Sequence, residues 1–387
     1  MIGAVVTGAS YRALAVVRSL GRHGVPVHVV RTDDHTLACR SRHVATQSMW
    51  PGTEPERVAH LIELAGRHDP TPVLIPTHDD EAALIARNHA ELAEVYTLTT
   101  PPLHQFLRAY DKRAMHQLAD EVGVARPWTA VPGSVEALAS IDRAFPLVVK
   151  PAYKDADNDL TTDKAWLAGD AEELERLYRQ ATGLLTDDLV MVQEWIGGGS
   201  DEQLSVAALV DAGRVVVSLT ARRTRQWPAD FGRASTFVES IEPDAALDHA
   251  VAVLVKALEF TGIVEVEFKR GADGIPVVLD INNRAWGWIS LGAAAGADFP
   301  WLLYRLATGE HIEAGVGRAG VRWIRPSTDL FTLAQTVRSP GALAGWVASL
   351  RPPLSPAVFD RHDPMPALAS PFDSAAMLIA RRRNRHG

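Results

Sequence analysis

Between Ile263 and Asn282 apolar and polar residues alternate through two short runs, joined by Gly271-Ala272-Asp273-Gly274. Such alternation around a glycine-bearing turn predicts a β-hairpin, because successive strand side chains point to opposite faces. One expected face carries Val264, Val266, Phe268, Ile275, Val277, Leu279 and Ile281, which must meet a core. The other carries Glu265, Glu267, Asp280 and Asn282. With the turn centred on Ala272 and Asp273, Glu265 is expected opposite Asp280, with Glu267 one step along the same face. Crowded carboxylates repel. Either a cation that favours hard oxygen ligands, such as Mg²⁺, sits among them, or the face is solvated and balanced by Lys269. Asn282 adds a neutral carbonyl oxygen on the same face as Asp280.

The chain of 387 residues that carries this hairpin is too long for one compact core, so two to three modules are expected. No apolar run is long enough to span a bilayer, and 39 basic against 47 acidic residues give a net charge of −8, so neither membrane nor nucleic acid is an expected partner. The opening MIGAVVTGAS reads as a strand and turn rather than a signal peptide, so the start is expected to be kept. A single cysteine, Cys39, excludes an internal disulfide framework and fits a cytoplasmic protein. Arg381, Arg382, Arg383 and Arg385 form a basic tail, read as a solvated end.

In the first hundred residues, apolar runs (GAVVTGA, VPVHVV, PVLIPT) alternate with helical patterns (YRALAVVRSLGRHG, ERVAHLIELAGRH), which argues for a parallel, doubly wound α/β sheet. Pro101 and Pro102 interrupt the pattern, and a helix is expected from Asp111, with Met115, Leu118, Ala119 and Val122 at helical spacing. From there to about Tyr304 strands and hairpins dominate, predicting α+β modules with antiparallel sheets. The stretch from about Ile312 mixes prolines with short helical patterns such as GALAGWVASL.

VVTGAS before a helix suits either a phosphate-binding turn or a plain strand-to-helix turn eased by Gly8. A short-chain dehydrogenase would also need a Tyr-x-x-x-Lys pair, yet Tyr110 is followed at that spacing by Ala114 and Tyr153 by Asp157. Thr7, Ser10 and Asp79 remain candidates for lining a substrate site, since open α/β sheets bind ligands at the carboxyl ends of their strands.

Lys112 falls in the first turn of its helix, where the dipole disfavours a cation, so either an anion lies nearby or the side chain reaches into water. Lys150 leaves the apolar strand FPLVVK, as a solvated end or an inward phosphate ligand. Gln193, Glu194, Trp195 and Ile196 end a strand before Gly197-Gly198-Gly199 and either offer an apolar shelf to a flat ring or make an ordinary strand and loop. Arg222, Arg223 and Arg225 are solvated, or clamp phosphate and carboxylate oxygens.

In chain order, Asp111-Lys112, VVKP at 148–151, QEWIGGG at 193–199, RRTRQWP at 222–228, VEFK at 266–269 and DINNRAWGW at 280–288 resemble the ATP-grasp superfamily, most of all its predicted carboligase and D-aspartate ligase-like branch. The resemblance implies an ATP-grasp fold behind an N-terminal Rossmann-like domain. It divides the chain into that domain (1–105), two ATP-grasp subdomains (106–190 and 191–311) and a C-terminal extension (312–387). It implies ATP with Mg²⁺, two ions, or Mn²⁺ in its place. By the same resemblance Lys112 and Lys150 meet phosphates, Gln193 to Ile196 form the adenine hinge, and Glu202 meets the ribose. Glu267, Asp280 and Asn282 become the metal ligands, with Glu265 behind them. Arg284 and Arg223 contact the transferring phosphoryl group. Two departures stand out: Asp280 and Asn283 replace the usual Glu and Pro, and AYKDADNDLTT after Lys150 lacks the glycines that cover phosphates.

The implied reaction is carboxylate–amine ligation: ATP phosphorylates a carboxylate and an amine displaces the phosphate. The substrates would be small carboxylates and amines of amino-acid or peptide type, and a homodimer is one assembly the resemblance allows. A regulatory ATP-binding protein, a bicarbonate-activating enzyme and a nicotinamide oxidoreductase are the rival classes.

Overall fold

The structure is a computed structural model that describes residues 3–32, 35–66, 71–154, 157–199, 202–227, 234–271, 273–336 and 339–370. Ala272, Pro228 and the arginines of the C-terminal tail lie outside the described residues.

The first sheet is parallel, built from β1 (Ala4–Thr7), β2 (Val27–Arg31), β3 (Val44–Met49), β4 (Val73–Pro76) and β5 (Thr97–Leu98), in the order β3-β2-β1-β4-β5. Its covering helices are α1 (Tyr11–Arg22), α2 (Glu54–Ala65), α3 (Asp79–Arg87) and the short α4 (His89–Ala93). β1 and β4 are wholly buried, as a strand covered on both faces requires. The half-exposed β3 lies on the sheet edge and carries no apolar run, so the sequence pattern gave no sign of it. Strand order reverses between β1 and β4, which opens a crevice at their carboxyl ends, where α1 and α3 begin.

Gly8 closes the turn into α1 with φ +90°, and a Cβ there would meet Thr77 Oγ1 at 2.5 Å and Glu81 Oε1 at 2.9 Å. Gly8→Ala is therefore expected to cost about 2 kcal/mol or more, read as a lower midpoint in urea unfolding.

Helices α5 (Leu103–Tyr110) and α6 (Lys112–Val122) follow, α6 capped by Asp111, whose carboxylate accepts from Arg113 N at 2.9 Å. A second sheet joins β6 (Thr129–Ala130), β7 (Leu147–Pro151), β8 (Trp166–Ala168) and β9 (Val190–Glu194) in the antiparallel order β6-β9-β7-β8, with α7 (Asp159–Asp163) and α8 (Ala171–Thr182) between its strands.

The third sheet runs β14-β13-β10-β11-β12-β16-β17, made of β10 (Gln203–Asp211), β11 (Arg214–Trp227), β12 (Ala234–Ser240), β13 (Gly262–Arg270), β14 (Pro276–Asn282), β16 (Arg322–Ile324) and β17 (Leu354–Pro356). Short β15 (Gly315–Val316) pairs with β11. One face of this sheet packs on α6 and α9 (Ala245–Ala257) through Val264, Val266 and Phe268. The other shares a core with α1 and with α10 (Ser290–Ala295) and α11 (Phe299–Ala307) through Ala207, Leu219 and Ile263. That shared core fixes the crevice of the first sheet against the hairpin β13–β14. Helices α12 (Pro326–Thr336) and α13 (Pro340–Ser349) lie between β16 and β17, α12 anchored by buried Asp329 on Arg225. Among the described residues no helix is long and apolar enough to cross a membrane.

Candidate active site

The hairpin forms where its alternation predicts, but the register differs from expectation. Glu267 faces Asp280 and Glu265 faces Asn282, with a bulge between Glu267 and Phe268 that leaves Leu279 as an extra residue. A bulge reverses the inward and outward phase beyond it. Val278 is thus buried with Ile281, while Val277 and Leu279 are only partly buried and Ile275 is 52% exposed. The apolar face predicted through Ile275, Val277 and Leu279 is corrected accordingly.

The polar face is largely enclosed: Glu265 is 3% exposed, and the Glu267 and Asp280 side chains are 17% and 33% exposed. Trp288 Nε1 donates to Glu265 Oε1 at 2.7 Å, and Asn282 Nδ2 donates to Glu265 Oε2 at 3.2 Å and Glu267 Oε1 at 3.0 Å. Gln203 and Arg223, on the neighbouring strands, each donate to Glu267 Oε2 at 3.0 Å. Lys112 Nζ, from the first turn of α6, reaches Asp280 Oδ1 at 3.1 Å. Arg284, 8% exposed, forms a forked pair with Asp79 at 2.5 and 2.8 Å and donates from Nη2 to Asn282 Oδ1 at 3.0 Å. Asp79 begins α3 at the switch point, so this pair ties the first sheet to the hairpin.

All of these groups but Gln203 line a cleft of about 200 Å³, with Tyr11, Arg12, Lys154, Tyr153, Lys164 and Ser235 on its other walls. Burial pushes the Glu265 carboxyl up to about 7, helped by Glu267. Burial also opposes charge on Asp280, but Lys112, Lys164 and Lys150 outweigh it and hold Asp280 below the usual carboxylate range. Lys150 is 8% exposed and its ammonium makes no hydrogen bond among the described residues; burial, with repulsion from Lys112, lowers it to about 7 despite Asp280.

Among the described residues no three His, Cys, Asp or Glu side chains gather closely enough to hold a metal. The hairpin offers instead an opposed pair, Glu267 and Asp280. Mg²⁺ takes one or two carboxylates and completes its shell with waters and phosphate oxygens, so the pair fits its chemistry. Asn282 presents its amide nitrogen to the carboxylates and spends its carbonyl oxygen on Arg284; a half-turn of the carboxamide would exchange them.

The hinge candidates stand outside the cleft lining. Glu194 Oε1 accepts from Trp128 N at 2.7 Å, and Trp195 stacks under the Lys269 ammonium at 4.7 Å, within the field of Glu202. Ile196 lies beside Gly271 at the hairpin turn. Gln193 is buried with its Oε1 unpartnered, on the same sheet face as Lys150 by register. Of the three arginines on β11, Arg222 pairs with Glu239 and Arg225 with Asp329, both away from the cleft, and Arg223 lines it. Thr7 is buried beneath the crevice, where its carbonyl accepts from Thr77 Oγ1 at 2.7 Å, and Ser10 caps α1 while bonding His78 Nε2 at 2.8 Å.

Sequence reasoning passed over Tyr11, Arg12, Lys164 and Gln203. Arg12 carries the signal that singled out Lys112, a cation in the first turn of a helix. Lys164 has none, being one lysine in a polar stretch; its φ of 68° sets it in the left-handed region at the end of α7, a conformation costing about 1 kcal/mol.

Residues 188–325 match a family model described as ATP-grasp in the biosynthetic pathway with Ter operon. No curated protein matches the sequence. Solved structures that it resembles include the L-amino acid ligase of Bacillus licheniformis, at 16% identity and a TM-score of 0.61 over 81% of this chain and 76% of that one. The N5-carboxyaminoimidazole ribonucleotide synthetase of Thermus thermophilus gives 14% and 0.62 over 83% and 81%. The biotin carboxylase domain of Hydrogenobacter thermophilus 2-oxoglutarate carboxylase, in complex with MgADP, ADP and bicarbonate, gives 16% and 0.65 over 83% and 74%. With three sheets in this arrangement the chain has the ATP-grasp fold, and the family match runs across the hairpin.

Proposed function

We propose that the protein is an ATP-dependent carboxylate–amine ligase. A substrate carboxylate oxygen attacks the γ-phosphorus of ATP, ADP leaves, and an amine then attacks the acyl phosphate carbon. Phosphate and a proton depart as the amide forms. The observation that carries this reading is the Glu267–Asp280 pair, ringed in one cleft by Lys112, Arg223 and Arg284. Bound Mg²⁺ would supply neutralisation of the phosphate oxygens between the two carboxylates. Lys112 and Lys150 would meet phosphates, and Arg223 and Arg284 would stabilise the transferring group. Gln193 to Ile196 would take the adenine and Glu202 the ribose; the unpartnered Gln193 Oε1 is a spare acceptor there. Glu265 would orient Asn282. The domain limits at 105, 190 and 311 and the D-aspartate ligase-like branch belong to the same reading.

The test is ADP formation from Mg²⁺-ATP across amino acids and small carboxylates, with hydroxylamine trapping the acyl phosphate. Bicarbonate belongs in the panel, because a solved structure of this fold is a complex with both MgADP and bicarbonate. ATP binding without carboxylate-dependent ADP release would turn the assignment to a regulatory ATP-binding protein.

Lys150 gives a separate expectation. With its ammonium lowered to about 7, it is mostly neutral at pH 8 in the free protein. A polyphosphate beside it restores the charge, so ATP binding at pH 8 should take up a fraction of a proton, measured by calorimetry in buffers of different ionisation enthalpy. Lys150→Met should abolish that uptake.

A further inference from the structure

Six cationic side chains line the cleft: Arg12, Lys112, Lys154, Lys164, Arg223 and Arg284. Four have carboxylate partners, Lys112 on Asp280, Lys154 on Asp80, Arg223 on Glu267 and Arg284 on Asp79. Arg12 and Lys164 make no ion pair among the described residues: Lys164 feels Glu267 and Asp280 against Arg223 and Arg12, and Arg12 lies in the field of Asp79. Arg12 Nε is buried without a hydrogen-bond partner. Its guanidinium stands in the first turn of α1, where the helix dipole also disfavours a cation. Between them is Tyr11, a cleft residue whose ring lies under a third cation without a carboxylate partner, Arg325, at 4.2 Å. Arg12, Arg325 and Lys164 together draw the Tyr11 phenol down against the effect of burial. Converging like charges are unfavourable unless an anion joins them.

We propose that Arg12 and Lys164, with the Tyr11 phenol, seat a second anionic group, carboxylate or phosphate, on the substrate whose other carboxylate is activated. The activation half rests on the ligase reading; the anion seat does not. The seat lies at the switch-point crevice, beside the Arg284–Asp79 pair, so the substrate enters between the first sheet and the hairpin.

The experiment measures binding of succinate, L-aspartate and O-phospho-L-serine, against propionate and L-alanine, by calorimetry and thermal shift without ATP. The wild-type protein should bind the dianionic members at least tenfold more tightly than their monoanionic counterparts. Arg12→Gln should erase that preference, Lys164→Gln should weaken it, and Arg12→Gln should keep Mg²⁺-ATP affinity within twofold. Relief of repulsion should leave the ligand-free melting temperature of Arg12→Gln unchanged or higher. Aspartate favoured over phosphoserine marks the group as a carboxylate, and the reverse as a phosphate. No dianion preference, a preference intact in Arg12→Gln, a lower melting temperature for that variant, or a loss of Mg²⁺-ATP affinity in place of dianion affinity would each overturn the seat. ADP formation that never depends on a carboxylate would overturn the ligase reading and leave dianion binding standing.

Discussion

Asp280→Asn is expected to lower carboxylate-dependent ADP release by about 10²-fold or more while leaving a folded protein, as is Glu267→Gln. Asp280 is the carboxylate that Lys112 grips and that offsets the field of Lys150 and Lys164. An amide of the same shape removes the charge but not the volume, so three lysines then face a neutral group, and hard-oxygen chemistry loses one of its two anionic donors. Glu267 collects hydrogen bonds from Asn282, Gln203 and Arg223, so its amide also confronts three donors with one oxygen fewer. The measurement pairs a coupled ADP assay with circular dichroism and thermal melting. Unaltered turnover in either variant would remove that residue from the phosphate site.

Asp79→Asn should cut both stability and turnover, through the link between the first sheet and the hairpin. Losing one partner of a buried pair costs about 3–5 kcal/mol; with the Asp79 side chain 35% exposed, solvent screening brings the expectation to about 2 kcal/mol. Burial works against the Asp79 charge, yet Arg284 holds its carboxyl well below the usual range. A folded-state value below the unfolded one, near 3.9, means that the stability is fully present above about pH 5 and is lost as pH falls toward the folded value. The gap between wild type and Asp79→Asn in urea unfolding should therefore be wide at pH 7 and narrower at pH 3. Arg284, freed of its anchor, should show the loss in kcat more than in the KM for ATP.

The sequence determined what local chemistry dictates. Alternation fixed both strands of the hairpin, and helical spacing with the Asp111 cap fixed α6 and put Lys112 at its start. Motif order then chose Glu267, Asp280 and Asn282 among equivalent polar residues, which periodicity could not do. Register lay beyond reach, because the turn pairs Arg270 with Pro276, one position from the expected centre, and the bulged Leu279 shifts every partner beyond it by one more. The edge strand β3 was hidden because half-exposed edge positions need no apolar pattern. Tertiary structure alone decided which charges meet. Asp79 and Arg284 are 205 residues apart and Lys112 and Asp280 are 168 apart, and nothing local encodes a pairing made by packing one sheet against another. Among the described residues the same packing left Arg12 and Lys164 without an ion pair, a property of the cleft that neither residue shows in its own stretch of chain.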